Sequence, residues 1–247
     1  MVRLKKSLGQ HLLVSEGVLK NIARSLELGP GDRVIEIGGG TGNLTKVLLE
    51  YPVKELLVIE LDSQMVAQLK TIGDSRLKVI QGDATKTELC SFGEEIKVVG
   101  NLPYNVASLI VERIVFCREC ITSAVLMLQK EVALRLSGKG EKGWLSFFLQ
   151  VFYHVEYLMS VPPRFFIPPP KVDSGVIRIR RKENAPDFNS EDLKAFLIKL
   201  FSHRRKMLHK KFDRDILASA GIEPHLRADQ LPLEDILELY NVYRAKR

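Results

Sequence analysis

Five short runs rich in Val, Ile and Leu constrain this chain more than any other feature of it. They are "RVIEIG" (33–38), "ELLVIEL" (55–61), "LKVIQGD" (77–83), "IKVVGN" (96–101) and "SAVLMLQ" (123–129). A strand with one wet face alternates apolar and polar residues, whereas a run that is apolar throughout is covered on both sides. Helix-like stretches lie among them near 42–50, 63–72 and 105–118. That alternation predicts a parallel sheet with helices on both faces. A further helical stretch near 144–153 and two strand-like runs, "VEYLMSVP" and "SGVIRIRR", come next. The last alternates with period two, which fits an antiparallel pair at a sheet edge. The pattern changes near residue 182. "RKENAPDFNS" is polar and carries a proline, so it reads as a linker. Only helical patterns follow it. Ser190 is placed to cap "EDLKAFLIKLFSHRR", Gly221 to stop "DILASA", and Pro232 to open a last helix. The expected organisation is an α/β domain over 1–182, a linker over 183–189 and an all-helical segment over 190–247.

The 247 residues are enough for one large domain, or for one of ordinary size with an appendage, and 45% hydrophobic content fits a globular protein. No apolar run is long enough for a membrane span. The opening "MVRLKKSLGQHLLVS" lacks the apolar core of a secretory leader. Cys90, Cys117 and Cys120 make no disulfide framework, so the expected setting is reducing and cytoplasmic. "CREC" has C-x-x-C spacing but neither a second pair nor a neighbouring histidine, and reads as ordinary helix sequence. The histidines at 154, 203, 209 and 225 show no metal-binding spacing. Net charge is +7, and its distribution matters more than its size. Between Arg178 and Lys211 stand eleven Lys and Arg against four Asp and Glu, and Arg3, Lys5 and Lys6 form a second basic cluster. Two positive patches suit a polyanionic partner such as nucleic acid.

"VIEIGGGTGNLT" puts Gly38, Gly40 and Gly42 directly after the first strand, with Glu36 just ahead. Glycines there permit a tight turn and let a ligand approach the backbone. A dinucleotide fingerprint needs G-x-G-x-x-G, but the sixth position from Gly38 is Asn43. The G-x-G-x-G form suits a nucleoside ligand without a pyrophosphate, such as S-adenosylmethionine. Glu60 ends the second strand, where a carboxylate can accept both ribose hydroxyls. Asp83 ends the third, where it can accept from an adenine amino group. Three such features at successive strand ends make a nucleoside crevice at a topological switch point.

"NLPY" (Asn101, Leu102, Pro103, Tyr104) closes the fourth strand beside that crevice. An exocyclic amino group on a base is a poor nucleophile, because its lone pair is delocalised into the ring. The Asn101 side-chain oxygen and the Leu102 carbonyl can accept its two hydrogens, and Pro103 fixes the backbone so that they converge. Positive charge moves onto this nitrogen during methyl transfer, and pre-aimed carbonyl dipoles stabilise charge where it develops. Tyr104 offers the base a stacking face. The reacting atoms must be held about 3–3.5 Å apart, which is a positioning task needing no strong base. A base leaves its stack to reach such a site, so a second wall is expected. "VPPRFFIPPPKVDS" is a stiff loop that offers Phe166 for it, with Phe165 as competitor. Trp144, at helical spacing with Phe147, Phe148 and Phe152, reads as core.

These stretches, with "KKSLGQHLL", "VIELD", "GDA", "MLQKEVALRL", "FIPPPKVDS" and "FSHRRKMLHKKF" in the same order, resemble the ribosomal RNA adenine N6,N6-dimethyltransferase family, in particular its bacterial small-subunit branch. The resemblance covers nearly the whole chain. It implies an α/β fold with a seven-stranded, Rossmann-like S-adenosylmethionine-dependent methyltransferase sheet and a small helical C-terminal domain. It implies dimethylation of two adjacent adenines in the 3′-terminal hairpin loop of small-subunit (16S) ribosomal RNA, linked to small-subunit biogenesis. Cofactor contacts carry over to His11, Leu13, Gly38, Gly40, Glu60, Asp83 and Asn101. Target contacts carry over to Asn101, Leu102, Tyr104 and Phe166. The expectation extends to a basic segment over 1–14 that closes over cofactor and RNA. It also assigns phosphate contacts to Arg3, Lys5, Lys6, Lys171, Arg204, Arg205, Lys206, Lys210 and Lys211, in a protein acting as a monomer. Three positions depart from the family pattern. His11 stands where Asn is usual, and Gly39 and Thr41 replace the more usual Pro and Leu, a change expected to alter only the stiffness of the glycine loop.

Two rivals share these features. The related large-subunit (23S) adenine methyltransferases of the macrolide-resistance type have a similar glycine loop and Asn-x-Pro-Tyr, but "FSHRRKMLHKKF" resembles the small-subunit branch. A non-catalytic RNA-binding assembly factor on the same fold would not need an intact Asn101–Tyr104 set. A nicotinamide dehydrogenase is disfavoured by the glycine spacing.

Overall fold

The computed structural model describes residues 11–246. Its main sheet has seven strands, β2 (Arg33–Ile37), β3 (Glu55–Glu60), β4 (Leu77–Gln81), β5 (Ile96–Asn101), β6 (Ile121–Gln129), β7 (Tyr153–Val161) and β9 (Ser174–Arg181), in the order β4-β3-β2-β5-β6-β9-β7. The first five in that order are parallel; β9 runs antiparallel to both β6 and β7. The chain builds outward from β2 on one side through β3 and β4, then returns to add β5 and β6 on the other. Strand order therefore reverses between β2 and β5, where Ile37 sits beside Gly100. Ligands of open α/β sheets bind outside the strand ends at that reversal.

Both faces of the central strands are covered, as the continuous apolar runs require; β4 corrects the expectation, because as an edge strand it leaves Lys78, Ile80 and Gln81 exposed. Ile35 and Ile37 of β2 join a core with α4 (Ala107–Phe116) and α6 (Trp144–Phe152). Val34 joins the opposite layer with α1 (Glu16–Ser25) and α2 (Asn43–Leu49), and Leu69 of α3 (Ser63–Lys70) belongs there too. Trp144 packs against Phe148 inside this structure, as its helical spacing predicts.

Helices α7 (Ser190–Phe201), α8 (Arg214–Ser219) and α9 (Leu233–Ala245) follow. They share the core of α6, where Phe147 stacks on Phe201 with ring centroids 5.2 Å apart. The polar stretch before α7 is tied down at its end. Phe188 is buried against Tyr240, and Arg118 donates to its carbonyl. Ser190 is not the cap of α7. Asn189 accepts from the Asp192 amide at 3.0 Å, and Ser190, one residue inside, instead accepts from the Arg118 guanidinium. Gly221 follows α8 with φ 67°, a left-handed conformation that suits glycine. Three elements were not read from the sequence: α1, α5 (Lys130–Leu136), and a two-residue ladder in which β1 (Leu12–Leu13) pairs antiparallel with β8 (Phe166–Ile167). Among the described residues, no helix is long and apolar enough to cross a membrane.

Candidate active site

A cleft opens at the carboxyl ends of β2, β3, β4 and β5, with about 1030 Å³ of non-atom space, part of it open to solvent. The glycine loop forms its floor. Gly38, Gly40 and Gly42 all have positive φ (77°, 52° and 84°), the region glycine enters without strain. Gly39 has a different role from the expected one. A Cβ there would lie 2.5 Å from Val58 Cγ1 and 3.0 Å from Leu69 Cδ1, so β3 and α3 have closed onto this position. The residue sets packing as well as stiffness.

The two strand-end acids are held in place by backbone. Glu60, buried, accepts from the Gly40 amide at 2.9 Å with one oxygen and from the Asp62 amide at 2.8 Å with the other. The carboxylate thus fixes the glycine loop while lining the cleft. Asp83 accepts from the Thr85 hydroxyl at 2.7 Å and amide at 3.0 Å with one oxygen, and these bonds hold its carboxyl below the usual range. It stays anionic, and its second oxygen meets only the exposed Lys86 ammonium, at 4.0 Å, which leaves lone pairs to accept. Glu36 lies deeper, beneath the loop. Burial pushes its carboxyl up to about 8, against the pull of a 2.7 Å bond from the Thr45 hydroxyl. A neutral Glu36 therefore packs under the glycine turn at neutral pH.

At the end of β5 the tetrapeptide has a defined polarity. Asn101 Nδ2 donates to the His11 carbonyl at 2.8 Å, which leaves Oδ1 as the uncommitted end of the amide. The Leu102 amide donates to the Met127 carbonyl at 2.9 Å, and the Leu102 side chain is buried. Among the described residues no donor reaches the Leu102 carbonyl. The Pro103 carbonyl is occupied by the amides of Val106 and Ala107, which begins α4. Tyr104 is pinned by a 2.8 Å hydrogen bond between its hydroxyl and Ser174 Oγ, and burial raises its phenol pKa, so it stays neutral. Two free acceptor oxygens and an anchored aromatic ring thus meet at one edge of the cleft.

The second wall differs from the expected one. Phe166 is only 2% exposed, sits in the apolar layer with Leu13 and does not line the cleft. Its backbone is paired with Leu13 in the β1–β8 ladder, which turns the ring inward. Phe165 is part-exposed with the Arg164 guanidinium 5.0 Å over its ring. The ring that faces Tyr104 is His11, stacked at 6.0 Å and 28°, with Nδ1 2.8 Å from the Pro168 carbonyl. Leu13 also stands apart from the cleft. It is buried, and its carbonyl accepts from Asn43 Nδ2 at 2.9 Å. Leu12 lines the cleft in its place. His11, Gly38, Gly40, Glu60, Asp83, Asn101, Leu102, Pro103 and Tyr104 line this cleft together; Leu13 lines only a small adjoining pocket, beside Gly38, Gly40 and Asn101, and Phe166 lines neither.

Comparison with known proteins gives this geometry a family. The family described as "Ribosomal RNA adenine dimethylase" matches residues 1–245. The chain belongs to the ribosomal RNA adenine dimethylase family. It is 41% identical over 249 residues to a protein of Sulfurihydrogenibium sp. (strain YO3AOP1) named "Ribosomal RNA small subunit methyltransferase A", covering 98% of this chain and 96% of that one. Among solved structures it resembles a dimethyladenosine transferase from Plasmodium falciparum, with TM-score 0.86, 29% identity, and 96% and 98% of the two chains covered. It also resembles the 23S rRNA methyltransferase ErmE, with TM-score 0.75, 26% identity, and 94% and 98% covered. The fold is thus the α/β, Rossmann-like one of this dimethylase family, as the sequence motifs imply.

The basic residues expected to meet RNA divide in this dimethylase. Arg205, Lys206 and Lys210 are exposed and make no ion pair with the described residues. Lys171 is exposed on the proline-rich loop. Arg204 is committed within the chain, bonded to the Glu141 carboxylate and the Lys142 carbonyl. Lys211 donates to the Leu200 carbonyl at 2.6 Å near the end of α7, and burial lowers its pKa. Arg204 therefore ties the helical segment to the connection between α5 and α6, Lys211 braces the segment internally, and the availability of both to phosphate is reduced. Arg3, Lys5 and Lys6 lie outside the described residues. Sequence reasoning missed Ser174 as the partner of Tyr104; its place at the end of "FIPPPKVDS" was the available signal.

Proposed function

We propose that this chain transfers methyl groups from S-adenosylmethionine to N6 of two adjacent adenines in the 3′-terminal hairpin loop of small-subunit ribosomal RNA. Each adenine would receive two. The observation that carries this reading is the pair of uncommitted oxygens, Asn101 Oδ1 and the Leu102 carbonyl, beside the anchored ring of Tyr104. They suit the two hydrogens of one exocyclic amino group, and their dipoles favour the positive charge that nitrogen acquires.

The cleft suits S-adenosylmethionine on its donor set. Glu60 has lone pairs left for ribose hydroxyls, Asp83 has an oxygen without a hydrogen-bond donor, in a long 4.0 Å ion pair with Lys86, for an adenine amino group, and Gly38 and Gly40 present backbone without side chains. When bound, this cofactor supplies a methyl carbon activated by a sulfonium. The chain's own residues do the rest. Asn101 and Leu102 orient the amino group, Tyr104 fixes the plane of the base, and no side chain here need act as a strong base, because the methylated ammonium loses its proton to water. His11, stacked on Tyr104, must yield that face when a base arrives. Phe166 reaches the target only if the β1–β8 ladder opens.

The small-subunit choice rests on the relatives' names and on near-complete coverage at 41% identity. In this reading the catalytic unit is 1–182, residues 190–247 supply RNA contacts through Arg205, Lys206 and Lys210, and the N-terminal segment closes over the ligands. The protein works in the cytoplasm as a monomer on a small-subunit precursor. Purified small and large subunits incubated with methyl-labelled cofactor test the proposal. Label is expected in small subunits; label in large subunits alone would overturn it.

A further inference from the structure

All three cysteines of the chain converge outside the cleft, although they come from separate elements. Cys90 lies in a short turn of 3-10 helix (Leu89–Phe92) between β4 and β5; Cys117 caps α4; Cys120 sits in the turn before β6. Cys90 interacts with both Cys117 and Cys120, and Glu88 Oε1 lies 3.7 Å from Cys117 Sγ. One ligand atom from each of Glu88, Cys90 and Cys117 falls within 4.8 Å of the others.

The 3.7 Å separation of Glu88 Oε1 and Cys117 Sγ matches neighbouring ligands of a coordination shell. Zinc bonds of about 2.3 Å to sulfur and 2.0 Å to oxygen at tetrahedral angles place neighbouring sulfur and oxygen ligands roughly 3.5 Å apart. The frame that carries the thiols is fixed by backbone bonds. The amides of Cys120 and Ile121 donate to the Cys117 carbonyl, both at 3.0 Å, and the Ile96 amide donates to the Cys120 carbonyl at 2.8 Å. Arg181 donates to the carbonyls of Arg118 and Glu119 in the same turn, which puts a positive charge beside the cluster. Cys117 is buried while Glu88 is exposed, and an open pocket lined by Glu88, Arg113 and Lys194 reaches Cys117 from solvent. An ion has an entry path as well as ligands.

We propose that Glu88, Cys90 and Cys117 form a binding site for a divalent cation of the zinc class, with two thiolates and one carboxylate as protein ligands and Cys120 beside Cys90. Two soft thiolate ligands exclude magnesium and calcium, which take oxygen shells. Without metal, burial holds the thiols protonated, Cys90 at about 12, so each must release its proton to solvent on binding. The site's position suggests its use. Residues 82–85, at the start of the same β4–β5 connection, line the cleft, and Arg113 of α4 donates to the Thr85 carbonyl at 2.9 Å. A bound ion would staple this connection to α4 and β6 and so brace one wall of the cleft.

The test uses full-length, reduced protein dialysed against zinc, with cobalt as the spectroscopic probe. About one equivalent of metal should be retained, and cobalt should show sulfur-to-metal charge transfer with a tetrahedral d–d pattern. Cys90→Ser and Glu88→Gln, at the less buried positions, should each weaken zinc at least about tenfold, the scale seen when even an outer-shell partner is lost. Cys117→Ser should abolish the charge-transfer signal; should that variant fail to fold, the other two carry the same prediction. Reduced protein that retains no zinc, or variants that retain it as the parent does, would overturn the proposal.

Discussion

Side-chain amides have two ends, and at Asn101 the His11 carbonyl decides which faces the cleft. One contact thereby ties His11 to the chemistry: a residue that lines the cleft also aims its acceptor. Glu36 is the other residue whose setting predicts a measurable property. Its folded pKa of about 8 exceeds the ordinary 4.5 because burial disfavours the charged form. The folded chain then holds a proton that the unfolded chain releases between those values. Stability from this group is complete below pH 4.5 and is lost as pH rises toward 8, by about 1.4 kcal/mol per unit at most. Denaturant titrations across that window should show a decline in the parent protein and a flatter profile for Glu36→Gln, which keeps the shape without the ionisation. Parallel profiles would mean that Glu36 is not the group responsible.

At the level of elements, the central parallel strands were legible because most side chains of a doubly covered strand are apolar, and the glycine loop because its turns need left-handed backbone. Their meeting at the reversal between β2 and β5 follows from connectivity. The β1–β8 ladder was not legible, since two residues carry no periodicity, and that is why Phe166 was expected at the cleft. A motif can place a phenylalanine in a loop, but only the pairing of Leu13 with Phe166 turns its ring inward. Cys90 was invisible for a related reason: "CREC" advertises two thiols, and the third arrives from 27 positions upstream. The Gly39 contact is also tertiary. Gly39→Ala should destabilise the fold by about 1–3 kcal/mol through overpacking against Val58, which is fully buried. In a Gly39→Ala, Val58→Ala cycle the double variant should lose less than the sum of the singles. Simple additivity would show that the loop relaxes away from β3.

Across the whole molecule, charge and core perform separate tasks in the helical segment. Its aromatic packing on α6 fixes where the segment sits, while the exposed cations between α7 and α8 remain free for phosphate. Neutralising Arg205, Lys206 and Lys210 should lower the salt dependence of RNA binding by about 0.7–0.9 per lost contact, with little change in thermal stability. Neutralising Arg204 or Lys211 should act on stability first, because each holds carbonyl or carboxylate partners inside the chain. Salt slopes and melting curves on the same variants separate the two groups; equal effects on both measurements from both groups would refute the division. The central claim is that two oxygens at the end of β5 present an adenine amino group for methylation. Mass spectrometry of RNA fragments from small subunits treated with parent protein or Asn101→Ala tests it most directly. The account predicts two adjacent dimethylated adenines with the parent and a rate at least about 10²-fold lower with the variant, while RNA binding persists. Dimethylation by Asn101→Ala at the parental rate would contradict it.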